Sequence, residues 1–189
     1  MIPLFPLGTV LFPGGVLSLK IFEPRYLDMI SACLRNGSGF GINLIRSGSE
    51  VGEAAHCWPV GTYALVTDWQ SLPGGLLGIT VQGERRYRIS STRVKPDNLL
   101  LGEVEWLTEE AVISAAGLED DTYAWLRVQL KQHGLAAARH NVENIGINAL
   151  IWRLIEILPL SLAARQTLLE QDSMQDMLAT LHALLQGLA

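Results

Sequence analysis

A chain of 189 residues has room for one large domain or two small ones packed together. Its 49% hydrophobic content and positive mean hydropathy argue against disorder and for a well-filled core. Formal net charge is −5 with only three lysines (Lys20, Lys95, Lys131), so the strongly basic face that nucleic-acid backbones require is missing.

Cys33 and Cys57 are the only cysteines, and both are expected to be reduced. No basic segment precedes the apolar opening, whose first positive side chain is Lys20, which does not match a secretory leader. The most apolar later run, Ile147 to Ala164, is interrupted by Arg153, Glu156 and Pro159 and is no membrane span. A soluble, cytoplasmic protein without membrane contact is the expectation.

In chain order, Pro3, Pro6 and Pro13 with the Gly14-Gly15 pair punctuate the opening and specify one chain path. Val16 to Phe22 alternates as a strand, with Leu17, Leu19 and Ile21 on one face and Ser18 and Lys20 on the other. Pro24 suits a first helical position, and it pushes Glu23 toward the extended backbone of an N-cap. The helix is predicted to run to Arg35 with Asn36-Gly37 as its stop. Phe40 to Ile45, Gly61 to Trp69, Leu76 to Gln82, Glu84 to Thr92 and Leu99 to Leu107 read as further strands, with a turn at Pro73-Gly74-Gly75. Short strands joined by tight turns favour a small barrel or closed sheet, because closure removes exposed edges.

From about residue 118 the pattern is helical only. Asp120 or Asp121 is placed to cap a helix stopping near His133-Gly134. Val142 to Leu158 is apolar nearly all round, which marks a helix surrounded by other elements. Ser161 caps a short helix, and Asp172 with Gln175 resembles a capping box for a last one. That last helix carries Met174, Leu178, Leu181, Leu185 and Leu188 as one stripe. The fold class is therefore α+β: a β-barrel module with one helix at 1–112, then an α-helical bundle packed on it at 113–189.

Six residues stand out as binding candidates: Glu23, Arg25, Tyr26, Arg85, Arg86 and Arg88, read as solvent-facing positions. Arg25 opposes the helix macrodipole in a first turn and so needs a partner from elsewhere, with Glu84 and Glu103 as candidates; it reads as a structural ion-pair residue, with Tyr26 packing inward. Strict alternation through Ile79, Val81 and Gly83 puts Arg85 among apolar neighbours, whereas a bulge at Gly83 leaves it outside. Three arginines with Tyr87 also invite an RNA-binding reading, which requires a contiguous Arg85/Arg86/Arg88 patch.

No metal site is expected. His56 and Cys57 are adjacent, His133 and His140 are seven apart, and no His-Glu-x-x-His occurs. Glu119-Asp120-Asp121 lacks the alternating ligands of a calcium loop. No lysine follows a glycine as a phosphate loop needs, and no Gly-x-Ser-x-Gly elbow appears. Neither a cofactor nor an enzymatic activity is expected.

Pro3 to Tyr26, Val60-Gly61-Thr62, Gly83 to Ile89, Leu158-Pro159-Leu160-Ser161 and Arg165 to Glu170 together resemble the N-terminal domain family of Lon protease. The family's fold is a PUA-like pseudo-barrel followed by a helical bundle, and its ATPase and peptidase parts have no counterpart in these residues. Asp97-Asn98-Leu99 replaces a more aromatic approach to the last barrel strand, and a basic residue is missing near Asp176-Met177-Leu178. The resemblance implies a non-catalytic module that binds unfolded polypeptide or a partner protein, in a hydrophobic groove between barrel and bundle or at the barrel's open end. The alternatives are a PUA-like RNA-binding protein and a small ATP-independent hydrolase.

Overall fold

The computed structural model describes residues 1–108 and 147–186. The expected helix from Asp120 or Asp121 to Gly134, the start of the helix at Val142, Leu188, Glu119 and the histidines at 133 and 140 lie outside the described residues. Contacts divide the chain into two units, Met1–Thr108 and Glu109–Ala189.

The first unit is built on a ring of strands. They are β1 (Ile2–Leu7), β2 (Val16–Ile21), β3 (Phe40–Ser47), β4 (His56–Cys57), β5 (Val60–Leu72), β6 (Leu76–Val94) and β7 (Leu100–Trp106). Hydrogen bonding follows β1-β7-β6-β5-β3, and a parallel β1–β3 pairing returns to the start and closes five strands on themselves. β2 attaches outside this circuit to β6, and β4 attaches to β3.

β1 was not foreseen. Pro3 and Pro6 remove two ladder donors, and Leu4, Phe5, Pro6 and Leu7 are all buried, so the period-two signal is absent. Burial on both faces explains it. Phe5 and Leu7 join a core with Phe40, Ile42, Ala64, Ile79 and Val81, while Leu4 joins Tyr87 and Leu100. Helix α1 (Pro24–Asn36) covers the first of these cores with Tyr26, Met29, Ile30 and Cys33. Gly37 ends it in the left-handed region at φ 61°, as the Asn-Gly stop predicts.

The second core is small because the strands leave little room. A Cβ at Gly41 would overlap the Tyr87 hydroxyl, and one at Gly61 would overlap Asn43. Tyr87 fills the space and donates its hydroxyl proton to the Asn43 side-chain oxygen. Both are buried, and burial holds the Tyr87 phenol well above its ordinary range.

The two strands expected on either side of Gly83 are one, β6. Between Gly83 and Arg86 it carries one more residue than β5 opposite, a bulge. The chain before β2 crosses here. Gly83 donates to the Gly15 carbonyl (2.8 Å), Gly14 donates to the Gly83 carbonyl (2.7 Å), and the Thr62 hydroxyl donates to the Leu11 carbonyl (2.6 Å). A side chain at Gly83 would meet the Phe12 carbonyl.

In the second unit the described helices are α2 (Ile147–Ile157), α3 (Leu162–Leu169) and α4 (Met174–Gln186). Leu150, Ile151, Trp152, Leu154 and Ile155 are all buried, in keeping with an apolar circumference. Ser161 caps α3 by accepting from the Ala164 N–H (3.2 Å). The cap of α4 falls one residue later than expected. Ser173, not Asp172, accepts from the Asp176 N–H (3.0 Å), and its hydroxyl donates to the Asp176 carboxylate (2.6 Å), because a hydroxyl serves both roles.

Two predictions follow from packing. Gly41→Val forces a side chain into the space of Tyr87, and urea unfolding should show a loss of ~1–3 kcal/mol. Glu156 is pushed up to about 7 by burial, against the opposing pull of Arg153, its 2.7 Å ion-pair partner, and Arg165. Its folded value lies above the unfolded one, so its contribution is full below about 4.5 and is lost as pH rises through about 7. Glu156→Gln should remove that slope, and the wild-type-minus-variant difference in unfolding free energy should fall by on the order of 1–3 kcal/mol between pH 4.5 and 8.

Candidate functional site

The junction between β2 and α1 gathers three distant segments. Glu23 is the N-cap of α1, with extended backbone and no capping bond from its side chain, which leaves the carboxylate free to turn toward the first turn. It pairs with Arg25 at 3.0 Å and accepts from the Gly52 N–H at 3.3 Å. Arg25 also donates to the Asn98 carbonyl at 2.8 Å and lies 4.5 Å from the Tyr26 ring centroid. Its side chain is only 4% exposed. The Glu23–Arg25 pair thus ties the helix start to the loop before β4 through the carboxylate and to the β6–β7 turn through the guanidinium.

Arg25 is the ion-pair residue expected, but its partner is neither Glu84 nor Glu103. Glu84 is solvent-exposed and Glu103 accepts from the Ser91 hydroxyl. The carboxylate two positions earlier reaches Arg25 first, and a negative charge at the N-cap also satisfies the helix dipole. Asn98 owes its role to a left-handed backbone at φ 65°, which an asparagine tolerates better than a bulky residue. Asp97 fixes that turn by accepting from the Leu99 N–H (3.0 Å), and the Lys95 hydrogen bond lowers its pKa.

Tyr26 packs inward, stacked on Phe5 with centroids 4.0 Å apart. Burial, offset in part by Arg25, pushes its phenol up to about 12, so it holds its proton at neutral pH. Burial likewise pushes Cys57 up to about 11 and raises Cys33, and both are free thiols rather than poised thiolates. Among the described residues no cluster of three or more His, Cys, Asp or Glu is placed to hold a metal.

The arginine motif does not form one patch. Arg85 sits outside the bulge with its guanidinium 3.6 Å from the Trp106 ring centroid, whereas Arg86 is buried and Arg88 is half-buried. Of the six candidates Arg25, Tyr26 and Arg86 are buried rather than solvent-facing: the helix start turns Arg25 and Tyr26 inward, as its packing predicts for Tyr26, and the bulge turns Arg86 inward.

A different surface emerges beside β2. Val16 (56%), Phe22 (54%) and Val51 (52%) are large apolar side chains left exposed. A cleft of about 150 Å³ lies between β2 and the loop around Val51, lined by the apolar or aromatic Phe5, Leu7, Leu19, Ile21, Phe22, Tyr26 and Val51 and by the polar Ser18, Lys20, Glu23 and Glu50. The signal was present in sequence: Val16 and Phe22 fall on the strand face that Ser18 and Lys20 define as polar.

The importance of the Glu23–Arg25 pair is directly measurable. Arg25→Met should cost ~3–5 kcal/mol of stability because it leaves the Glu23 carboxylate and the Asn98 carbonyl without their cation. Arg25→Lys should recover only part, since an ammonium lacks the planar fork that spans both acceptors.

The sequence matches the family model of the ATP-dependent protease La (LON) substrate-binding domain over residues 1–187. A Lon N-terminal domain protein from Xanthomonas campestris is 32% identical, with a TM-score of 0.75 and 96% of each chain covered. The N-terminal domain of a Lon protease from the Mycobacterium avium complex shares the fold at 19% identity, with a TM-score of 0.65 and 95% of each chain covered. No curated protein matches the chain. The match over nearly all its residues, together with the closed ring and the helix laid against it, makes this chain a member of the Lon substrate-binding domain family.

Proposed function

We propose that this chain is a non-catalytic module that binds unfolded polypeptide or a partner protein. Residues 1–112 carry the binding surface, and residues 113–189 form a helical bundle. The observation that carries the reading is the exposure of Phe22 and Val51 at a mostly apolar cleft beside β2, with Val16 exposed at the start of the same strand. Exposed apolar groups gathered around a recess mark interaction sites more than solvent surfaces. Family membership over residues 1–187 supports it. The division into two compact units supports the assignment of binding and helical parts.

In this reading Glu23, Arg85 and Arg88 are the charged candidates with access to solvent, while Arg25, Tyr26 and Arg86 act from the interior by fixing the backbone around them. The setting is cytoplasmic, which suits two free thiols. Among the described residues no helix is long and apolar enough to cross a membrane. A contiguous arginine patch, on which RNA binding depends, is not favoured by the buried Arg86.

The test is a titration of the full chain into fluorescently labelled, reduced and carboxymethylated α-lactalbumin, a permanently unfolded polypeptide, and into a labelled single-stranded RNA. Saturable anisotropy change with the polypeptide at micromolar protein, only weakly dependent on salt, is the expected result. Absence of polypeptide binding at high micromolar protein, a steep salt-dependent response with the RNA, or cleavage of the polypeptide without ATP would overturn the reading.

A further inference from the structure

The polypeptide-binding reading leaves open how a segment is held, and β2 answers that on grounds of its own. β2 pairs with β6 through six consecutive residues, Val16 to Ile21, without a register shift. It has no second strand neighbour. The Gly83 N–H to Gly15 carbonyl bond fixes the phase of this ladder. Leu17, Leu19 and Ile21 therefore direct their N–H and C=O groups at β6, and Val16, Ser18 and Lys20 direct theirs away from it.

The other long open edge among the described strands is blunted. The outer half of β5 beyond Ala64 also lacks a second neighbour, but Thr67 bulges out of register there. Asp68 then turns its carboxylate onto the Trp69 N–H (2.9 Å). A bulge and a charge are the usual ways to blunt an edge. β2 has neither a bulge nor any charge except Lys20.

We infer that the β2 edge is the recognition site, and that it takes an extended polypeptide segment as an additional strand whose inward side chain enters the cleft beside it. The cleft is built at that edge. Leu19 and Ile21 line it from the core side, and Phe22 and Val51 stand exposed at its mouth. Outward backbone groups fix the peptide in extended form irrespective of its sequence, and the cleft of about 150 Å³ selects one apolar side chain. Such a device recognises alternating apolar residues in unfolded chains and ignores folded surfaces, which keep their backbone paired.

The occupant is a linear segment rather than a second copy of this chain. The edge is about 20 Å long at strand spacing. Stable association of two folded copies engages roughly 20–30 residues a side, far more than one six-residue strand and its cleft supply.

The proposal rests on the polypeptide-binding reading, and one experiment separates their failures. Three probes are titrated into the full chain: carboxymethylated α-lactalbumin, a labelled ten-residue peptide of alternating leucine and threonine with terminal lysines, and the same peptide N-methylated at alternate amides in each of the two phases. Ser18→Pro is the variant, chosen because its N–H faces away from β6 and proline removes no ladder bond. Expected are binding of the plain peptide, at least tenfold weaker binding to Ser18→Pro, and similar weakening by N-methylation in one phase only. Binding of lactalbumin but not of the peptide, or equal binding of both N-methylated forms, overturns the edge assignment and leaves the wider reading intact. Failure of every probe overturns both. A dimer in sedimentation that Ser18→Pro dissolves would assign the edge to a second copy and overturn the proposal. The N-methylated peptides decide the matter alone if Ser18→Pro does not fold.

Discussion

The parallel pairing of β1 with β3 is the contact on which the first unit depends. Four register pairs, from Leu4 with Gly41 to Leu7 with Leu44, join the start of the chain to a strand that begins some forty residues later. Without them β1 and β3 would each present a free edge, and the circuit through β7, β6 and β5 would be an open sheet. With them, Leu4, Gly41, Asn43, Tyr87 and Leu100 are brought together on one face of the strands, while Phe5, Ile42, Ile79 and α1 close the opposite face. Close approach at Gly41 and Gly61 is what lets a single tyrosine fill the smaller core and reach Asn43.

Closure has a consequence for binding. A ring uses up the backbone pairing of its own members, so a strand laid outside it, as β2 is on β6, keeps one side unpaired. The Glu23–Arg25–Asn98 junction holds the end of that strand. Glu50 accepts from the Gly8 N–H and Glu23 from the Gly52 N–H, which pin the loop carrying Val51 beside the cleft. Charge at this point therefore has a positioning role: Arg25 fixes the geometry of a mostly apolar recess from behind it, while the Glu23 and Glu50 carboxylates form part of its wall.

Much of this was legible in the sequence because it rests on local chemistry. Pro24 after an extended Glu23, the Asn36-Gly37 stop, the alternation of β2 and the Ser161 cap each depend on residues within a few positions of one another. The inward Tyr26 and an ion-paired Arg25 also followed from local reasoning. Most of what failed was non-local, as with β1, which hides behind two prolines and burial on both faces. The partner of Arg25 failed in the opposite sense: it was sought across the fold and lay two residues away. Gly83 marked a bulge, but only the register with β5 shows that Arg85 escapes while Arg86 turns inward. The cleft beside β2 needs Phe5, Tyr26 and Val51 in one place, and no spacing along the chain announces that.

Residue-resolved hydrogen exchange tests the central claim most directly, that a closed ring leaves one strand edge open to be completed by another chain. In the free protein the amides of Leu17 and Leu19 should exchange slowly and those of Ser18 and Lys20 fast. Addition of an unfolded polypeptide should slow Ser18 and Lys20 selectively. Slow exchange at all four amides in the free protein, or polypeptide-induced protection that leaves Ser18 and Lys20 unchanged, would contradict it.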